Sequence, residues 1–545
     1  MPVEYLDGNL LRQLVWSGAR RLEAEKGGVD ALNVFPVPDG DTGTNMALTL
    51  AAACREMEQA KADSLGEVAE AVARGSLMGA RGNSGVILSQ LYRGFARALE
   101  GKQRVTAAEV AGALAEGVRT AYRAVMKPTE GTILTVSRDA ARAALERARA
   151  GGALEAVLET AHQAAEASLQ RTPDLLPVLK KAGVVDAGGQ GFCLILRGWL
   201  EGLKVDRGYG QDRSPARVVE FELTEEMADI RYPYDTEFFI KGSGLPADQI
   251  RDQLARWGDS LIVVGAAELV KVHVHTDNPG RVLDYCVRQG PLTEIVIKNM
   301  REQHESLKNA ARTVPPPPLP PGPVPPAKAV GIVAVASGEG LDRIFRSLGA
   351  DEVVQGGQTM NPSTEEIVSA VNRIPAEQVI VLPNNKNIIL AAEQVGSLTE
   401  KGVHVVPTRS VPQGVAAMLA WQPEKPAAET LGAMARAGRA VRTGEVTYAV
   451  RDSRLGEMEV RRGDVLGLLE GEMAVKGDNP EAVARDLLQG MLQAGGEFIT
   501  IYYGNGVTGD QAAGLVDWLG AEYPGRQVEL HDGGQPVYFY VISVE

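Results

Sequence analysis

The chain has 545 residues, a length that at roughly 150 residues per domain accommodates about three domains. Its 56 Lys and Arg against 70 Asp and Glu leave a net charge of −14, which argues against a nucleic-acid-binding or membrane-surface protein, since both partners are polyanions. The three cysteines, Cys54, Cys193 and Cys286, are too few and too far apart for a disulfide framework or a Cys-only zinc ribbon and fit a reducing compartment.

The first residues carry no basic segment followed by an apolar one, and no run approaches the ~20 apolar residues of a membrane span. The expectation is a cytoplasmic protein without a transmembrane segment. From residue 4 to residue 203 the pattern is helical. Leu6, Leu10, Leu14 and Leu22 recur at helical spacing, and Gly27-Gly28 are placed to end that helix. Ala-rich periodic runs follow at 43–61, 65–80, 84–100, 106–125, 136–150, 152–169 and 189–203, giving about eight helices in all.

After about residue 216 the period changes. VVEFEL (218–223), DTEFFIKG (235–242), SLIVVGA (260–266) and LVKVHVHT (269–276) read as strands, with helical segments between and after them, so a small α+β domain is expected over 216–305. Residues 313–328, TVPPPPLPPGPVPPAK, hold nine of the thirty prolines. Such a tract forms neither helix nor central strand and predicts a semi-rigid polyproline II linker; an SH3-type ligand has the same composition. Beyond it, AVGIVAVAS, EVVQ, QVIVLP and HVVPT alternate with helical segments, the signature of a parallel sheet with crossover helices. A strand-rich segment follows residue 442. The domains expected are therefore 1–205, 216–305 and 329–545, with the linker before the last.

Chemistry concentrates in the helical part. NVFPVPDGDTGTNM (33–46) sets Asp39 and Asp41 two apart in a loop stiffened by Pro36 and Pro38 and tightened by Gly40 and Gly43. Two carboxylates flanked by Asn33 and Thr44 suit Mg²⁺, which keeps several waters and is usually completed by substrate phosphates. The helix opening near Gly43 offers N–H groups and a positive dipole end to those phosphates. An Asx turn with helix caps draws on the same residue types.

MGARGNSGVILSQ (78–90) puts Gly82, Asn83 and Ser84 at another helix start, with Arg81 beside them. KPTEGTILTV (127–136) does the same with Gly131 and Thr132, and GVVDAGGQGF (183–192) with Asp186, Ala187 and Gly188. Gathered at one end of a helical barrel, these four loops would make one phosphate-binding site. No GxxxxGK[ST] P-loop and no HRD and DFG pair is present, so such a site leans on metal in place of a P-loop lysine. In the middle region, VKVHVHTDNPG (270–280) places His273 and His275 on one strand face, where two imidazoles can hold one metal ion or form a polar face.

These motifs resemble the DhaL (DAK2) nucleotide-binding domain of dihydroxyacetone kinases. The whole architecture is similar to the ATP-binding subunits of bacterial fatty acid kinases, with a DegV-like C-terminal domain. The resemblance implies a multidomain fold: an all-α eight-helix barrel, a small α+β middle domain and an α/β DegV-like domain. It implies ATP and Mg²⁺ as cofactors, with Asp39 and Asp41 as metal-binding aspartates. Thr42, Gly43, Thr44 and Asn45 match its phosphate-contacting turn, and Asn83 and Ser84 its second phosphate loop. Asp186, Ala187 and Gly188 align with its DPG-type nucleotide loop, with Ala187 in place of proline. A third, upstream metal-binding aspartate of the dihydroxyacetone kinase branch has no Asp counterpart; Asn33 lies nearby. The family also pairs the middle-domain histidines with a cysteine in a zinc-like site. Here Asp235 stands where that cysteine would be, so Zn²⁺ there would rest on His273, His275 and Asp235.

The function so implied is phosphorylation of a fatty-acid carboxylate presented by a separate DegV-type fatty-acid-binding protein, giving an acyl phosphate. Arg81, by its place beside the second loop, is the basic residue expected to touch the transferring phosphoryl, unless it is an exposed arginine on a helix end. The resemblance also implies a homodimer through the middle domain. Two alternatives stand beside it: a dihydroxyacetone-type kinase acting on a small hydroxyketone, and a non-catalytic nucleotide-sensing scaffold.

Overall fold

A computed structural model of the chain describes residues 4–34, 40–60, 62, 64–125, 127–204, 234–242, 245–254, 256–266, 269–299, 328–357, 361–455 and 458–545. The expected strand 218–223 and all of the proline-rich tract but Lys328 lie outside these residues. The chain forms two compact units, one made of Met1–Arg207 together with Ala327–Glu545, the other of Gly208–Pro326.

The amino-terminal part of the first unit is helical. The helices are α1 (Gly8–Asp30), α2 (Thr42–Gln59), α3 (Leu65–Met78), α4 (Gly82–Leu99), α5 (Ala107–Ala124), α6 (Ile133–Arg149), α7 (Leu154–Gln170), the short α8 (Thr172–Leu175) and α9 (Pro177–Ala182), and α10 (Ala187–Lys204). Each long helix packs on the next, α7 on α10, and α10 closes on α1, so the eight long helices form a ring. Their apolar faces meet in one core that includes Leu14, Leu50, Val72, Leu99, Val136, Leu158 and Trp199. Ser64 with Glu67 and Thr106 with Glu109 make capping boxes that start α3 and α5.

Two local expectations differ. First, α1 does not stop at Gly27-Gly28 but runs through both to Asp30. A glycine inside a helix costs about 1 kcal/mol relative to alanine; here the extra turn buries Val29 and carries Asp30 to the start of α2. Second, the region is not wholly helical, because Tyr5–Asp7 pairs antiparallel with Arg104–Thr106. Those three-residue strands are too short to show a period of two.

The carboxyl-terminal part holds two larger sheets, besides a small antiparallel pair formed by Ser453–Leu455 and Met458–Val460. Strands Lys328–Ala336, Glu352–Gln355, Ala376–Leu382 and Gly402–Val405 are all parallel, in the spatial order fourth, third, first, second. The first is buried along seven consecutive residues, as a strand covered on both faces must be. The other sheet has six strands in the order Glu472–Gly477, Val465–Leu469, Arg442–Tyr448, Tyr540–Val544, Phe498–Tyr503 and Gln527–Asp532. Only its last pair is parallel. Helices Pro480–Leu492 and Gly509–Glu522 contribute Leu487, Leu488, Leu515 and Leu519 to the core against this sheet.

The helical and sheet parts share a core. Ala80 and Val86, from the α3–α4 junction, are buried with Val333, Val335, Ile367 and Val381.

The second unit is a four-stranded antiparallel sheet, ordered Gly258–Ala266, Leu269–Thr276, Tyr234–Lys241 and Leu292–Asn299, with helices Ala247–Leu254 and Pro279–Val287. Phe238, Ile240, Val270, Val272, Val274 and Cys286 form its core. The molecule is thus multidomain, with an all-α barrel, a small α+β domain and an α/β domain, as the sequence implied. Among the described residues no helix is long and apolar enough to cross a membrane. All three cysteines are free and buried.

Candidate functional site

In a ring of alternating up and down helices, every second helix starts at the same end. The four motif loops open α2, α4, α6 and α10, which are every second member of the ring. Direct packing of α2 on α4, α2 on α10 and α6 on α10 brings these starts together.

The start of α2 is held by an aspartate from the preceding helix. Asp30 Oδ1 accepts hydrogen bonds from the backbone N–H groups of Gly43 (2.6 Å) and Thr44 (3.1 Å), and Oδ2 accepts from the Thr44 hydroxyl (2.8 Å). Gly43 permits this approach, since a Cβ there would stand 2.3 Å from the Lys26 carbonyl oxygen. Two of the backbone donors assigned to phosphate are therefore bound to a carboxylate, and the Asn45 N–H bonds to the Asp41 carbonyl. Thr42 donates its hydroxyl to Asn33 Oδ1 at 2.8 Å, and the Arg451 guanidinium donates to the Asn33 carbonyl.

Asp41 is the residue before α2, and its side chain makes no cap bond to that helix. Its Oδ1 accepts from Asn45 Nδ2 at 2.7 Å and its Oδ2 from Asn361 Nδ2 at 2.8 Å. Asp39 lies outside the described residues. Among the described residues no group of three or more His, Cys, Asp and Glu is placed to hold a metal ion.

Arg81 immediately precedes α4. Its backbone N–H donates to the Thr49 hydroxyl (3.3 Å), which donates in turn to the Asn45 carbonyl (2.7 Å). That relay ties the start of α4 to the first turn of α2. Gly82 has φ +58°, and a Cβ on it would meet Asn45 Nδ2 at 2.6 Å, so glycine lets the two helix starts meet. Asn83 Oδ1 is buried without a hydrogen-bond partner among the described residues. The Arg81 guanidinium reaches the carboxyl-terminal domain, donating to the Asn361 carbonyl (2.7 Å) and pairing with Glu366 (3.1 Å).

At the other two starts, Gly131 (φ +84°) donates its N–H to the Thr135 hydroxyl at 2.8 Å, and Thr132 donates its own hydroxyl to the Thr129 carbonyl at 2.8 Å. Asp186 Oδ2 accepts from the Gly189 N–H at 2.7 Å, and the carboxylate also accepts from the backbone of Ile133. One side chain thus caps α10 and meets the first residue of α6. Burial pushes the Asp186 carboxyl up to about 6, against the lowering effect of those two bonds. Gly188 and Ala187 are buried beside it.

In the middle unit the strand register sets Asp235 directly opposite His275 and Glu237 opposite His273. The predicted metal residues are therefore at neighbouring register positions.

Three residues at the barrel end escape sequence reasoning. Asp30 falls just past the expected helix end at Gly27-Gly28 and outside every motif, and Asn361 and Arg451 come from another domain. Of the three only Asn361 has a sequence signal, since it lies in GGQTMNPS (356–363), a polar loop after the strand-like EVVQ.

Comparison with known families follows this division of the chain. Residues 36–201 match the DAK2 domain, 231–307 the middle domain of FakA-like fatty acid kinase proteins, and 331–545 their C-terminal domain. Protein YloV of Bacillus subtilis (strain 168) is 42% identical over 568 residues, covering 100% of both chains. The chain belongs to the FakA-like fatty acid kinase family. An uncharacterized protein of Staphylococcus haemolyticus is 39% identical, again over 100% of both chains. Among solved structures, a DegV family protein of Corynebacterium glutamicum is similar at 16% identity over 40% of this chain and 98% of its own, with a TM-score of 0.32. A second DegV family protein, from Thermus thermophilus, shows 16% identity over 40% and 99%, with a TM-score of 0.29.

Proposed function

We propose that the chain is an ATP- and Mg²⁺-dependent kinase that phosphorylates the carboxylate of a fatty acid. The acid would be presented by a separate DegV-type fatty-acid-binding protein, and the product would be an acyl phosphate. The observation that carries this reading is the convergence of four helix starts around Asp41, within the segment that matches a DAK2 domain.

The residues present fit a divalent cation and a polyphosphate. Asp41 supplies a carboxylate whose two oxygens each accept a hydrogen bond from a side-chain amide, and Asn83 and Asn361 each bring a buried side-chain oxygen with no partner among the described residues. Asp41, with Asp39 and Asn33, would hold Mg²⁺, whose contribution is to neutralise phosphate charge. The first turns of α4, α6 and α10, with Gly82, Asn83, Ser84, Gly131, Thr132 and Asp186–Gly188, would receive the nucleotide.

In the reaction a fatty carboxylate oxygen bonds to the γ-phosphorus, the β–γ bridging P–O bond breaks and ADP leaves. A carboxylic acid with an ordinary pKa near ~4–5 is already ionised at pH 7, so no general base is required. His162, the one histidine of the barrel, fits that chemistry: it lies in mid-α7, 3.4 Å from Glu166. The rest is positioning and electrostatics.

The family takes its name from one component of a multi-chain fatty acid kinase, which supports a second chain as acyl carrier. A homodimer through the middle domain and a Zn²⁺ site on His273, His275 and Asp235 complete the reading. Elemental analysis of the purified protein checks the latter: zinc is expected in the wild type and lost in His273→Ala, and metal-free wild type removes that site.

The main test gives the purified protein Mg²⁺ and ATP with three acceptors: free fatty acid, fatty acid loaded on a DegV-type carrier, and dihydroxyacetone. Acyl phosphate, trapped as the hydroxamate, is expected only with the loaded carrier. Asp41→Ala is expected to lower the rate by about 10²-fold or more, the scale of losing a key electrostatic group, with the fold intact by circular dichroism. Full turnover by Asp41→Ala rules out the site, and phosphorylation of dihydroxyacetone alone rules out the acceptor.

A further inference from the structure

We propose that Asn361 is a positioning residue for Asp41, delivered by the carboxyl-terminal domain, so that the cation and nucleotide site is completed across two domains. The proposal rests on the reading of Asp41 given above and extends it to a residue 320 positions away.

Asn361 lies between strand Glu352–Gln355 and helix Thr364–Arg373, beyond the carboxyl end of a parallel strand, where α/β sheets place their ligand loops. It is 1% exposed. Three contacts hold this segment against the barrel end. The Asn361 carbonyl accepts from the Arg81 guanidinium, the Thr364 N–H donates to the Ala80 carbonyl (3.1 Å), and Glu366 pairs with Arg81. Glu366 is itself fixed by a capping box with Ser363. The backbone at residue 361 is thus set by bonds that do not involve its own side chain.

Within that frame the side chain divides its functions. Nδ2 donates to Asp41 Oδ2 at 2.8 Å, on the opposite side of the carboxylate from Asn45. The pair of amides fixes the plane of the carboxylate. Oδ1 is buried and has no hydrogen-bond partner among the described residues.

An unpaired buried amide oxygen is unfavourable, and an apolar side chain would seal the same gap without it. Interdomain adhesion accounts for Nδ2, which bonds Asp41, but not for Oδ1. A role towards a ligand does: an amide neither repels a neighbouring carboxylate nor carries charge, and it offers a hard oxygen of the kind that suits a Mg²⁺ ion or its bound water. Arg451, donating to the Asn33 carbonyl, shows the same domain reaching a second of the site's residues.

The test compares wild type with Asn361→Leu and Asn361→Ala in the full chain. ATP binding is measured by calorimetry with Mg²⁺ and with EDTA, and the unfolding midpoint is measured without nucleotide. In the wild type Mg²⁺ is expected to strengthen ATP binding. In the variants that enhancement should fall by about tenfold, the scale of one hydrogen bond to a charged group, while EDTA affinity and unfolding midpoint are retained. A role confined to packing would move the midpoint, or both affinities together, and either result overturns the proposal. So does full retention of the Mg²⁺ enhancement in both variants. A wild type whose ATP binding ignores Mg²⁺ refutes the underlying reading of Asp41, and the proposal falls with it; the two failures are separated by whether the wild type responds.

Discussion

At the level of single residues, the barrel end is organised by aspartates that act on backbone. Asp30 and Asp186 each bind N–H groups of helix first turns, α2 for the former, α10 and α6 for the latter. The Asp186 carboxyl rises from an ordinary 3.8 to about 6 because burial outweighs its hydrogen bonds. A carboxyl with a raised value in the folded chain favours folding most when protonated. Its contribution is therefore complete below about pH 3.8 and is lost as pH rises towards 6. The stability of wild type relative to Asp186→Asn should decline from pH 4 to pH 6 and then stay level. Urea denaturation of both proteins across that interval measures it, and a pH-independent difference contradicts the burial argument.

The motif loops were legible in the sequence because glycines, prolines and short polar side chains cluster there. Asp30 was not legible. It lies just past the expected helix end, outside every motif, and its role exists only because the helix runs through Gly27 and Gly28 and Gly43 lets α2 come close. Asn361 was legible only as a loop residue, since its partner is fixed by domain docking.

Among elements, the long helices and the parallel strands could be read directly. A period of 3.6 or an unbroken apolar run persists over enough residues to stand out. The shortest strands could not, and Leu292–Asn299, with Glu and Lys inside an apolar run, also escaped. Helix contacts depend on features that a pattern does not display. Helices α1 and α10 meet at Gly18 and Gly198, where a Cβ on Gly198 would lie 2.5 Å from the Ser17 carbonyl oxygen and 2.6 Å from the Gly18 Cα. Both obstacles are backbone, so a side-chain rotation cannot relieve them. Gly198→Ala should separate the pair that closes the ring and destabilise the barrel by about 1–3 kcal/mol, the usual range for overpacking. Thermal unfolding checks this, and an unchanged midpoint shows that the helices can shift freely.

For the molecule as a whole, alternation of strand and helix foretold the α/β part and Ala-rich periodicity the barrel. Their association was hidden, because the 119 residues of the second unit separate the two stretches in sequence. Ala80, between α3 and α4, and Val86, inside α4, look like ordinary residues of the barrel until they are seen in the same core as Val333 and Val335.

That arrangement makes the second unit an excursion whose departure and return are both pinned to one body. The entropic penalty of closing a loop grows only logarithmically, by about 0.6 kcal/mol for each doubling of its length. Lengthening or trimming this excursion is therefore expected to leave the register between Asn361 and Asp41 in place, whereas a single polar intrusion at Ala80 or Val86 strikes the seam on which that register depends.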